Sequence, residues 1–164
     1  MSLNLPPTTE TVHLFLYGGQ SNCVGKAKID RLLEDDNYSD YHKEQSGVWF
    51  AGRSDDTDDF VIGPMTPGLE NGSRGTFGAQ VSMGYHYHRV TNKHVMIVKL
   101  GAGGTNVYQD WNPYTVQNQW DRDKDDGTAA YLIPNYGSDQ YMYKNFVHNS
   151  RLVMETLKAA NVSW

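Results

Sequence analysis

Residues 12–25 read VHLFLYGGQSNCVG, and the fold turns on this stretch. Val12-His13-Leu14-Phe15-Leu16-Tyr17 is a short, nearly unbroken apolar run that stops at Gly18-Gly19. A run of this length bounded by glycines is the pattern of a strand buried on both faces, and such strands belong to parallel sheets covered by helices. Gln20, Ser21 and Asn22 follow at once. In an open parallel sheet the ligand crevice lies outside the carboxyl ends of the strands, which is where Ser21 then sits. A glycine pair permits a sharp turn, so the serine hydroxyl can project from the start of a following helix, where backbone N–H groups favour a developing negative charge. That placement suits a nucleophile. The competing reading is that Ser21 is only a helix N-cap, since serine is among the preferred caps.

The rest of the chain supplies elements that alternate in the same way. Residues 47–51 form a weaker strand candidate, residues 78–90 have helical spacing with Val81, Tyr85 and His88 or Arg89 a turn apart, and residues 94–100 read as a second buried strand. Residues 141–160 place Phe146, Leu152 or Val153, and Leu157 on one side of a long amphipathic helix, and residues 161–164 look like the opening of a further strand. The polar stretches 30–46 and 106–140 read as loops over the strand ends, and no internal repeat is visible. These elements predict an α/β fold, with residues 1–11 an N-terminal tail and 12–164 one domain.

Composition narrows the function. A chain of 164 residues with 38% hydrophobic content can bury a core, and its formal charge is −5. The 14 Lys and Arg residues are scattered rather than gathered into a stripe, so a nucleic-acid footprint is missing. No run approaches the roughly 18 apolar residues of a spanning helix, so no membrane contact is expected. The start, MSLNLPPTTE, lacks the layout of a signal peptide. Met1-Ser2-Leu3 reads as a cloning remnant, compatible with a secreted or periplasmic protein whose leader has been removed, and the compartment stays open. Oligomeric state is equally unread. A lone cysteine, Cys23, excludes an internal disulfide.

Ser21 has company downstream. Gly75 and Gly78 lie just before the 78–90 helix, and Gly101, Gly103, Gly104 and Thr105 lie at the carboxyl end of the second strand. Backbone N–H groups approach a substrate oxygen closely only where no side chain intervenes, so two glycine turns beside a serine are what an oxyanion hole needs. Each turn taken alone is equally an ordinary tight turn.

Together, Gly19-Gln20-Ser21-Asn22, Gly78 ahead of a helix, and Lys99-Leu100-Gly101-Ala102-Gly103-Gly104-Thr105 with Asp110-Trp111 after it resemble the SGNH (GDSL-like) hydrolase superfamily. The nearest branch is that of sialate O-acetylesterases and plant-type carbohydrate acetylesterases. The resemblance implies a three-layer α/β/α sandwich with a mainly parallel, flavodoxin-like sheet. It also implies removal of acetyl groups from sugars without metal or cofactor, the partner being a small-molecule or oligosaccharide acetyl ester. Carried over, Ser21 is the nucleophile, and its own N–H with those of Gly78 and Gly104 forms the oxyanion hole; Gln20, Asn22, Thr105 and Trp111 are the expected substrate contacts. The W-x-Q-G-E-x-D segment and the Asp-x-x-His block that supplies base and orienting acid have no counterpart in residues 1–164. The chain therefore reads as the N-terminal portion of a longer esterase, incomplete at the C-terminus and by itself weak or inactive, because a serine hydroxyl without a neighbouring base is a poor nucleophile.

No local histidine replaces that base in the sequence. His86 and His88 are i, i+2 neighbours on one helix and point apart, His13 and His94 begin strands, His42 sits in a loop and His148 in the long helix. The acidic run 121–127 approaches a calcium-loop pattern, but its glycine is one place late and Leu132 stands where the closing glutamate belongs; 55–59 has no ligand spacing. Tyr108, Trp111, Tyr114 and Trp120 follow the third glycine turn, and aromatic faces set among Asn and Gln suit a sugar ring, with Trp111 as an inward wall. Two alternatives remain: a catalytically inactive carbohydrate-binding relative, and a lipid or thioester hydrolase of the same superfamily.

Overall fold

β1 (Val12–Gly19) lies parallel to a second eight-residue strand, His94–Gly101, in full register from Val12 opposite His94 to Gly19 opposite Gly101. The computed structural model describes residues 4–53, 60–69, 75–105, 111 and 142–164. In chain order β1 is followed by α1 (Ser21–Val24), β2 (Ala27–Lys28), α2 (Ile29–Leu33), a 3-10 helix (Asp36–Tyr41), β3 (Val48–Arg53), β4 (Phe60–Pro64), β5 (Thr76–Phe77), α3 (Gln80–Thr91), β6 (His94–Gly101) and α4 (Met142–Ala159).

The main sheet has the order β1-β6-β3-β4; β6 runs parallel to both β1 and β3, and β4 is antiparallel to β3. β2 and β5 form a separate two-stranded pair. The fold is thus mixed α/β with a mainly parallel four-stranded sheet, in agreement with the alternation of elements along the sequence. A further parallel bridge joins Thr11 to Ser163, with the Val12 amide donating to the Ser163 carbonyl at 2.8 Å, so of residues 161–164, expected to open a strand, Ser163 makes one isolated bridge just ahead of β1. No helix among the described residues is long and apolar enough to cross a membrane.

β6 lies between β1 and β3 with both faces covered and is buried along nearly its whole length, whereas β1, expected to be buried on both faces, is buried only at Val12 and leaves Leu16 48% exposed. Val95 and Ile97 turn to one side and pack with Val81 of α3 and with Val48 and Phe50. Met96 and Val98 turn to the other and pack with Val153 and Leu157 of α4 and with Val12, Ala51 and Ile62. Alternate side chains of one strand serve two cores because the pleat has a period of two. The segment ahead of β1 is attached as well: Leu5 packs on the α4-side core, and the Asn4 amide donates to the Ile62 carbonyl at 2.9 Å.

The stretch 30–46, expected as loop, instead contains the 3-10 helix and all of α2 except its first residue, Ile29. α2 spans only five residues, too few to display a helical period, and buries only Leu32; Asp35 caps the 3-10 helix by accepting from the Asn37 amide at 3.0 Å. β4 also had no counterpart in the sequence reading. The acidic runs 55–59 and 121–127 and the aromatics Tyr108, Tyr114 and Trp120 lie outside the described residues, as does Asn106.

Candidate active site

Ser21 is the first residue of α1, immediately past the carboxyl end of β1. The helix cap is Gln20, not Ser21: the Gln20 Oε1 accepts from the Ser21 amide at 3.3 Å and from the Ser21 hydroxyl at 2.9 Å. The serine is therefore free of the capping role that was its competing explanation.

The glycine turns converge on α1. Ala102, directly after β6, donates its amide to the Gly19 carbonyl at 3.1 Å, which places the turn at Gly103 and Gly104 beside the Gly19–Ser21 segment. Gly78 abuts the other end of α1. A Cβ built on Gly25 would lie 2.4 Å from the Gly78 Cα, and one built on Gly78 would lie 3.3 Å from the Val24 carbonyl oxygen. Only two glycines can meet this closely, so the last turn before α3 and the end of α1 are locked together. Gly104 has a positive φ of 80°, and among the described residues nothing lies within 4 Å of where its Cβ would be.

Thr105 and Trp111 form one unit above the strand ends. The Trp111 indole N–H donates to the Thr105 Oγ1 at 3.1 Å, while Thr105 Oγ1 donates to the Ala102 carbonyl at 2.8 Å. The indole covers Gly18, where an added Cβ would lie 3.0 Å from the ring, and meets Phe146 of α4 edge-on with centroids 6.0 Å apart. Trp111 is thus half-buried over Gly18, the residue of β1 three places before Ser21. Gln20 and Asn22 are exposed on either side of Ser21.

Two polar residues beneath the site carried no assigned role in the sequence. Lys99 is fully buried, and its Nζ donates to the Val24 carbonyl at 2.8 Å, putting a cation at the carboxyl end of α1, the favourable end for positive charge. Its signal was legible as the one cation within β6's apolar run. Gln80 is also fully buried; its Oε1 lies 2.6 Å from where a Gly78 Cβ would be, and neither of its amide atoms has a hydrogen-bond partner. Cys23 packs in the same layer. Burial pushes its thiol from 9.0 up to about 11, against the smaller opposing pull of Lys99.

Five of the six imidazoles have partners other than Ser21. His13 bonds to the Tyr87 hydroxyl, His42 to the Leu32 carbonyl, His86 to the Tyr41 hydroxyl and His88 to the Lys93 carbonyl, while His94 lies 3.7 Å from Glu10. Ser21 therefore has a carboxamide at its hydroxyl, which accepts a hydrogen bond but does not take up a proton at neutral pH. Models of known protein families, curated proteins and solved structures were all compared with the chain, and none matches.

Proposed function

We propose that this chain carries the nucleophile of an SGNH-type serine esterase that removes O-acetyl groups from carbohydrate. The observation that supports the reading best is the position of Ser21 at the start of α1, past the carboxyl end of β1, with the Gly103-Gly104 turn following β6 beside it and Gly78 packed against the far end of the same four-residue helix. In the reaction the Ser21 Oγ bonds to the acetyl carbonyl carbon as its proton passes to a base. The carbonyl oxygen becomes an oxyanion facing the amides of Ser21 and Gly78, with Gly104 as a further donor. Collapse breaks the ester bond, the sugar oxygen leaves with a proton, and water then releases acetate from the acyl-serine. Gln20 must swing away for the Ser21 amide to serve, which its exposed position allows. The reading also requires a base that the described residues do not place at Ser21.

Labelling with a fluorophosphonate, read by intact mass, tests the proposal. One adduct on the wild type that is absent from Ser21→Ala is the expected result; no adduct, or one that persists in the variant, overturns it. The hold of Gln20 on both the amide and the hydroxyl of Ser21 favours a second reading, a carbohydrate-binding relative without turnover. Calorimetric binding of an acetylated xylo-oligosaccharide without release of acetate would favour that alternative.

A further inference from the structure

A cavity lies on the α3 side of the molecule, built from residues other than Ser21, Gly104 and Trp111. Its volume is about 350 Å³, within the range of small-molecule sites. Leu32 of α2 and Val81 of α3 are buried in its lining, and Ala27 and Phe77, register partners in the β2–β5 pair, form one side. Tyr38 and Tyr41 line it too, their rings near parallel at 29° with centroids 6.2 Å apart. The Tyr41 hydroxyl is tied to His86 Nε2 at 2.8 Å, so this aromatic wall is set before a ligand enters.

The lining decides the chemistry of the occupant. Aliphatic and aromatic side chains dominate it, so a sugar ring would leave its hydroxyls without partners, whereas a flat ring gains contact with Tyr38, Tyr41 and Phe77. Charge at the mouth adds a second criterion. Arg31 is paired with Glu34 at 3.1 Å, and the Asp35 carboxylate accepts from the amide and the side chain of Asn37 at 3.0 and 2.9 Å. Asp35 keeps its negative charge, and among the described residues Lys28 is the cation at the mouth without an ion-pair partner. The Lys28 ammonium, beside an apolar, aromatic-walled cavity, complements an anionic group on a flat ring.

We propose that this cavity is a binding site for an aromatic carboxylate, with the ring between Leu32, Phe77 and the Tyr38-Tyr41 wall and the carboxylate at Lys28. The site stands independently of the Ser21 reading.

Isothermal titration with 4-hydroxycinnamate tests it, with 4-hydroxycinnamyl alcohol as the uncharged ring and glucuronate as the carboxylate without one. The wild type binds 4-hydroxycinnamate in preference to both. Ala27→Trp, an exposed position whose new indole fills the cavity, weakens binding more than about tenfold. Lys28→Gln weakens it about threefold and removes the preference over the alcohol, in line with the modest strength of an exposed ion pair. Circular dichroism verifies that each variant folds, and if Ala27→Trp does not, Lys28→Gln decides. Absence of binding, glucuronate binding as well as the aromatic acid, or affinity unchanged in the variants overturns the proposal. So does loss of binding in Ser21→Ala, which would place the ligand at Ser21 instead.

Discussion

The carboxamide oxygen of Gln20 holds the hydroxyl of Ser21 at 2.9 Å and its amide at 3.3 Å, so the residue that caps α1 also occupies the serine. With a cap of this kind worth about 1 kcal/mol, Gln20→Ala is expected to lower stability by about that amount in urea titration. It also frees both donors of Ser21. If the serine is a nucleophile, its fluorophosphonate labelling in Gln20→Ala should be at least as fast as in the wild type once folding is verified. A slower rate would mean that Gln20 activates the serine rather than restraining it.

The contact between Gly25 and Gly78 separates two kinds of glycine. Gly25 combines a φ of 84° with a virtual Cβ 2.4 Å from the Gly78 Cα, whereas Gly104 has a φ of 80° and, among the described residues, nothing within 4 Å of its virtual Cβ. Gly104→Ala should cost only the backbone penalty, about 1–2 kcal/mol. Gly25→Ala adds an overlap with backbone that cannot rotate away, a further 1–3 kcal/mol or so. Chemical denaturation of both variants measures the difference, and equal losses would mean that the two segments are not in contact.

Cys23 is 6% exposed, with its Sγ 3.7 Å from the carbonyl oxygens of Tyr17 and Leu100. Ellman's reagent at pH 8 should react with it only at the rate at which the native state opens. Because its folded pKa of about 11 exceeds the ordinary 9.0, the native state keeps its thiol proton where the unfolded chain has lost it. The thiol's contribution is therefore fully present below pH 9 and is lost as pH rises toward about 11. The fall in urea midpoint across that window should be shallower in Cys23→Ala than in the wild type.

Gln80 buries a donor and an acceptor that have no partners. Replacing such a group by an apolar one of similar shape removes a desolvation penalty of about 1–3 kcal/mol, so Gln80→Met should be neutral or stabilising. A loss of more than about 1 kcal/mol on thermal denaturation would mean that the amide is bonded in solution.

The sequence by itself determined the elements whose signal is local. β1 and β6 were legible as apolar runs that reach glycine, α4 by an apolar stripe kept over 18 residues, and the turn at Gly103-Gly104 by its composition, whereas Gly18 and Gly19, read as a turn, are the last two residues of β1, opposite Leu100 and Gly101. Ser21 was picked out by its position after those glycines. Short elements were missed because a five-residue helix such as α2 completes too few turns to show a period, and the helix exists through the burial of Leu32. The tertiary structure alone decided the strand order, the engagement of His13, His42, His86 and His88 away from Ser21, and the Lys99 ammonium under α1, bonded to a carbonyl 75 residues away. Periodicity and turn chemistry act over a few neighbouring residues, whereas a side chain's partner in a packed sheet is set by which distant strands and helices bury it.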